Sequence, residues 1–429
     1  MALRKPPAAL DPALEITGSC KEWETYDCEL VTPLYGGGVT AGEVDEEMPV
    51  RASAIRGQLR FWWRLLARHR SKLTGEELRH QEFELWGGLG KPVQASKVWL
   101  RVSSHSGLVR APWAIYNQKR DGSWMSLPDP EDWANAPYAL FPAQGKKPGL
   151  RDSKPPGKLT KPGLKWHIDI AFSPECSGTQ KVEIVDALRW WASFGGVGAR
   201  TRRGLGAVRI AGIEPVSADE ASLAGCRLVI APSARQTAVL AWQDSVEKLR
   251  NFRQGVEMGR NPGKTRDRPG RSRWPEPASI RAATGTHRIK QDGTSFAPAA
   301  GTPQMYPRAA FGLPIVFHFQ NERTDQKPDP VDVILEPVDV GGQRVERMAS
   351  PLILRPCLGK GGRWHAAALL LPDKLADDAV LALRRGSNVI AHGHVSRQGD
   401  LDENGLPPRN PMIGRGANAL DAFLVYFAG

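Results

Sequence analysis

The chain has 429 residues, 41% hydrophobic and 24% charged, with 58 Lys plus Arg against 46 Asp plus Glu for a net charge of +12. Such a length suits two domains of about 200 residues each, and the basic excess points to a polyanionic partner, nucleic acid first. The opening MALRKPPAALDP lacks the apolar core of a signal peptide and no run of 18 apolar residues occurs, so a soluble cytoplasmic protein with no membrane contact is expected.

Residues 23–34 read as a strand, ended by Pro33 and the glycines at 36–38. Periodicity predicts helices over 52–69 and 75–86, then strands over 97–103 and 164–172 with alternating faces. A helix over 181–194 carries Glu183 and Asp186 early, where the helix dipole favours anions. A glycine-rich turn leads to a last strand at 206–213. The order is βα(α)ββαβ, the ferredoxin-like unit that is also the fold of RNA-recognition motifs.

An insertion at about 104–163 separates the second and third strands. It holds Trp113, Tyr116, Trp124, Trp133 and Tyr138, and seven Lys or Arg against Asp152 between Lys146 and Lys165. Aromatics beside cations can stack on RNA; a small satellite core with a solvated loop is the plainer alternative.

In the second half, 226–232 reads as a strand and 237–252 as a helix, followed by a basic Gly/Pro-rich segment over about 255–310. Strands are expected at 311–319, 347–356, 363–371 and 387–395, and a helix at 374–385. The expected class is α+β: two ferredoxin-like (RRM-like, βαββαβ) domains with insertions, one over 1–225 and one over 226–429.

Two constellations stand out. In RASAIRGQLRFWWRLLARHRSK (51–72), Ile55, Leu59, Trp62 and Leu66 fall on one helical stripe, and Arg56, Arg60, Arg64 and Arg68 recur every four residues nearly opposite. Seven Lys or Arg and no acid lie between Glu47 and Glu76. Like charges at i,i+4 destabilise a helix, so the stripe, with Arg51, suggests an external anion: RNA or an acidic protein. The second is SFGGVGARTRRGLGAV (193–208), where Gly195, Gly196, Gly198, Gly204 and Gly206 bracket Arg200, Arg202 and Arg203. Glycine allows positive φ and close backbone approach, and arginine offers planar multi-donor contacts to phosphate. The loop follows a helix and opens a strand, the reverse of dinucleotide and P-loop turns. If these arginines serve RNA alone, replacing all three by Ala would leave the fold nearly untouched.

Other signals are weaker. GRNPGKT (259–265) has one residue too few between its glycines for a Walker A loop, and Arg260–Arg273 reads as a basic loop that either tracks phosphate or is merely solvated. Five scattered cysteines (Cys20, Cys28, Cys176, Cys226 and Cys357) form no CxxC pair, which speaks for reduced thiols and against zinc. His167 with Asp169, and His392 with His394, each share a strand face, but neither pair has a third ligand in view. No GxSxG or HExxH motif occurs. Neither a catalytic residue nor a metal nor any other cofactor is assigned.

The helix RASAIRGQLRFWWRLL together with GGVGARTRRGLGAV resembles the RAMP (repeat-associated mysterious protein) superfamily of CRISPR systems, most of all the first RAMP subunit of the Cmr, or type III-B, effector complex. RSRWPEP (271–277), FGLPIVF (311–317) and RMASPLILRP (347–356) resemble the same family. The resemblance implies two ferredoxin-like domains and a non-catalytic role in antiviral defence, binding the 3′ region of CRISPR RNA and the captured target RNA beside other RAMP subunits. Arg51, Arg56, Arg60, Arg64, Arg200, Arg202, Arg203, Arg271 and Arg273 would meet phosphates, and the five loop glycines would bring backbone close to RNA. A metal-independent CRISPR RNA endonuclease using His69, His80 or His167 is the enzyme alternative; a pure assembly scaffold is the third.

Overall fold

The computed structural model describes residues 21–429 apart from 91, 135, 264–268, 340, 377, 397–409 and 417. Cys20 and most of the basic run after GRNP therefore lie outside the described residues.

The N-terminal half is built on β1 (Glu24–Leu30), α1 (Ala52–His69), α2 (Gly75–Trp86), β2 (Val98–Ser106), β3 (Lys165–Phe172), α3 (Gly178–Phe194) and β4 (Val208–Ile210). The strands form one antiparallel sheet in the order β2-β3-β1-β4, the order expected of a ferredoxin-like unit. Alternation sorts the residues by face: Tyr26, Cys28 and Leu30 pair with Ile168, Trp166 and their neighbours on the helix-covered side. Thr25, Asp27 and Glu29 share the opposite face with Asp169, His167 and Lys165.

Helices α1 and α3 pack together through aromatic rings. Trp62 lies 5.9 Å from Trp190 and 6.0 Å from Phe194, and all three are buried; truncating one such side chain costs about 3–5 kcal/mol. The indole of Trp63 donates to Glu183 at 2.8 Å. Helix α3 begins a turn earlier than periodicity alone suggests because Ser177 and Gln180 close a capping box.

The C-terminal half departs from expectation. Strand β5 (Arg227–Arg235) and helix α4 (Ala238–Gln254) appear where predicted. Next come helix α5 (Glu276–Thr284) and strands β6 (Ile315–Phe317), β7 (Val333–Pro337), β8 (Leu352–Leu358), β9 (Trp364–Leu370), β10 (Val380–Arg385) and β11 (Asn388–His394), then helix α6 (Ala419–Ala428). Instead of one four-stranded sheet there are, among the described residues, two larger sheets, β8-β9-β5 and β6-β7-β10-β11, besides a two-stranded pairing of Arg260–Pro262 with Pro269–Ser272. The helix expected at 374–385 is overturned by β10, which joins β11 through a two-residue turn at Gly386 (φ +58°) and Ser387, a hairpin signal stronger than the helical reading of its apolar residues. Helix α6 went unread because ALDAFLVYFA is apolar almost all round. Asn418 caps it, and Phe423 packs 5.4 Å from Phe252 and 5.9 Å from Phe311.

The insertion makes no free platform. Trp113, Leu140 and Leu159 are buried in one cluster with Leu205 of the glycine-rich turn and Trp242 of α4, with Trp133 and Tyr138 packed against it. A small core is present, and it is shared with both halves of the chain.

Candidate nucleic-acid interface

The glycine-rich turn sits where the two halves and the insertion meet. It closes on itself and on the exit of β1: Val197 N–H donates to Gly206 O (2.9 Å), Gly206 N–H to Pro33 O (2.8 Å) and Ala199 N–H to Tyr35 O (2.7 Å). Gly206 holds φ +66°, and a Cβ there would stand 1.8 Å from Val197 O; Gly198 holds φ +78°, with Leu34 Cδ1 at 2.3 Å from its missing Cβ. Gly195, Gly196 and Gly204 belong to the same closed turn. The glycines thus serve close approach within the chain.

Arg202 and Arg203 of the turn are half-buried and Arg200 is exposed, and all three reach other segments. Arg200, itself at φ +63°, donates from Nε to Ala139 O of the insertion at 3.3 Å. Arg202 donates to Ser350 O and lies 5.9 Å from the Phe61 ring of α1. Arg203 donates to Leu352 O (3.1 Å) and Phe311 O (3.2 Å), while its own carbonyl accepts from the Trp242 indole (2.7 Å). Burial lowers the pKa of all three, that of Arg203 to about 10. No carboxylate among the described residues pairs with any of them, so the turn concentrates positive charge that those residues do not neutralise. The expectation that the three could be removed without touching the fold is corrected: they fasten the turn to the insertion and to the C-terminal half.

Helix α1 divides its arginines differently. Arg56 is spent on the carbonyls of Trp86 (2.9 Å) and Val98 (3.1 Å), tying the helix to α2 and β2, and burial lowers its pKa. Arg60 and Arg64 share Glu82 of α2, at 2.6 and 3.2 Å; Arg68 pairs with Asp373 at 2.9 Å and Arg70 with Asp186. The stripe lacks acids only within its own helix, since neighbouring elements supply them. Arg51 donates to Gly37 O, and a Cβ on Gly37 would lie 2.9 Å from Gly198 Cα, which places the start of α1 beside the glycine-rich turn.

Arg271 is exposed and stands 3.7 Å from the Phe296 ring centroid. Arg273 is buried, with its guanidinium on Asn261 Oδ1 (2.8 Å) and Glu257 O. The structure therefore gathers Arg51, Arg200, Arg202 and Arg203 around one turn and leaves Arg56, Arg60 and Arg64 on the α2 side of α1. It adds groups the sequence did not single out. Arg253 of α4 hydrogen-bonds the Tyr138 hydroxyl beside Arg203. Arg355, alone in the apolar run of β8, is buried with its Nη2 on Ala192 O and Val208 O (2.7 Å), and burial lowers its pKa to about 9. A single charge inside an apolar strand was the available signal.

Among the described residues no group of three or more His, Cys, Asp or Glu side chains is placed to hold a metal, and no helix is long and apolar enough to cross a membrane. The pair read on β3 splits: His167 Nδ1 meets Asp27 Oδ1 at 2.7 Å, whereas Asp169 accepts from Thr25 (2.6 Å) and Arg101 (2.8 Å). Cys28, Cys176 and Cys226 are free thiols, buried in the fold.

Residues 27–209 match the family model of the RAMP superfamily. No curated protein matches the chain. Among solved structures, apo Cmr1 from Pyrococcus furiosus is similar at 16% identity over 86% of this chain and 92% of that one, with a TM-score of 0.44. A chain of type III-B Cmr-beta bound to cognate target RNA is similar at 11% identity over 81% of this chain and 94% of that one, with a TM-score of 0.39.

Proposed function

We propose that this chain, whose residues 27–209 match the family model of the RAMP superfamily, is a non-catalytic RNA-binding subunit of a type III-B CRISPR effector complex. In this reading it works beside other RAMP subunits and touches the 3′ region of CRISPR RNA and the captured target RNA. Sequence discrimination comes from base pairing between the two RNAs, and the protein holds backbone and shape. The observation that carries the proposal is the carboxylate-free set of Arg200, Arg202 and Arg203 on a rigid turn beside Arg51. Half-buried guanidinium groups without a counter-charge favour an external anion, and the overall +12 steers one toward them. We read β5, α4, β8 and β9 as the remains of a second ferredoxin-like unit, with residues 1–225 and 226–429 as the two domains.

The test is binding of single-stranded RNA by the purified chain across a salt series. Four phosphate contacts (Arg51, Arg200, Arg202 and Arg271) give a log–log slope of about −3, at roughly 0.7 per contact. The double variant R200A/R202A loses about 1.4 of that slope. A flat salt response overturns the RNA reading in favour of a protein scaffold. Guide and target RNA remain intact with or without divalent metal; specific cleavage abolished by H167A would establish an enzyme instead.

A further inference from the structure

The face of the N-terminal sheet away from α1 and α3 carries a cleft of about 340 Å³, lined among others by Asp27, Ser104, Ser106, Lys165, His167 and Arg209. It lies apart from the glycine-rich turn and takes no part in the RNA reading above. A break in register between Ser103 and Ser106 shapes one wall; Ser104 there adopts φ +58°, unusual for a residue with a side chain. Bulges of this kind turn side chains away from the regular alternation.

The two acids in the cleft are already occupied. Asp27 holds His167 by Nδ1 at 2.7 Å, which fixes the ring and leaves Nε2 open. Glu29 is paired with Arg209 at 2.7 Å. Lys165 has no ion pair among the described residues, and the hydroxyls of Ser104 and Ser106 have no hydrogen-bond partner there. Lys165 is two residues from His167 on the same strand face and, like it, exposed enough to reach a ligand. The uncommitted groups are thus an ammonium and two hydroxyls, each able to donate to an oxyanion, and a pinned imidazole edge that donates when the ring is protonated, in a space the size of one nucleotide.

We propose that this cleft binds the phosphate group of a nucleotide, either a free mononucleotide or the terminal phosphate of an RNA. Lys165 supplies the point charge, the serine hydroxyls supply directed hydrogen bonds, and His167, its Nδ1–H held by the positioning residue Asp27, donates from Nε2–H as the imidazolium.

The test measures equilibrium binding to the full chain of three probes: uridine 5′-monophosphate, a 5′-phosphorylated pentaribonucleotide and the same oligomer with a 5′-hydroxyl. Wild type is expected to bind the monophosphate, and the double variant K165A/H167Q to bind it at least tenfold more weakly. Preference for the phosphorylated over the hydroxyl oligomer, erased in K165A/H167Q, assigns the phosphate to an RNA end; sensitivity of the monophosphate alone assigns it to a free nucleotide. The proposal fails if K165A/H167Q binds the monophosphate as wild type does, or if wild type binds none of it at millimolar concentration. Circular dichroism and thermal melting check that the variant is folded, as expected for exposed positions.

Discussion

Truncating Arg203 separates a fastening role from a purely phosphate-binding one. Its guanidinium donates to Phe311 O and Leu352 O, at 3.2 and 3.1 Å, in surroundings that hold its pKa down to about 10. A hydrogen bond from a charged donor is worth about 1.5–3 kcal/mol, and two are lost in R203A. Partly offsetting this, the variant no longer desolvates a cation that lacks a carboxylate partner. The net expectation is a loss of about 2–4 kcal/mol, against about 0.5 kcal/mol or less for an arginine exposed on the surface. Arg203→Lys should fall between, because a single ammonium cannot span acceptors on two segments. Urea unfolding followed by tryptophan fluorescence reads the effect directly, since the Trp242 indole donates to the Arg203 carbonyl. A midpoint shift worth less than about 0.5 kcal/mol, with weakened RNA binding, would refute the fastening role and return Arg203 to the RNA surface.

Two further outcomes follow from the same geometry. Gly206→Val places a β-branched side chain at φ +66° with its Cβ 1.8 Å from Val197 O, so the variant should lose more than about 3 kcal/mol or fail to accumulate as folded protein; normal melting would sink the argument. Glu220 accepts from both Nη atoms of Arg189, at 2.6 and 2.8 Å, and the arginine's hydrogen bonds hold its carboxyl at about 2, below the ordinary 4.5. A depressed folded-state pKa stabilises above the unfolded value and is lost as pH falls through the folded one. The stability gap between wild type and E220Q is thus expected to be full at neutral pH and to close between pH 4.5 and about 2, and a gap constant over an acid titration contradicts it.

The parts legible in the sequence were those governed by local rules. Helices α1 and α2 begin and end where their periodicity placed them, because apolar stripes and the glycine after Trp86 are local signals. The strand order of the first sheet followed from the order of its elements. Distant partners decided the rest. Nothing near Arg60 or Arg64 in the sequence announces that Glu82 will turn toward them, and nothing near Arg203 announces two carbonyls more than a hundred residues away. Capping by Asn418 was a local signal for α6, but a segment apolar on all sides carries no period from which to choose a helix. At β10 the turn chemistry of Gly386 and Ser387 outweighed a helical-looking apolar pattern.

Leu205 and Trp242 lie in one buried cluster with Trp113, Leu140 and Leu159. Those residues leave the ribosome at three different times. A nascent chain that has emerged only through its last N-terminal strand holds the glycine-rich turn without the indole that caps it, and Arg203 without the carbonyls of Phe311 and Leu352. The turn therefore sets late in synthesis. If the turn binds RNA as proposed, a surface that is complete only when the far half of the chain arrives is withheld from cellular RNA while the protein is still being made.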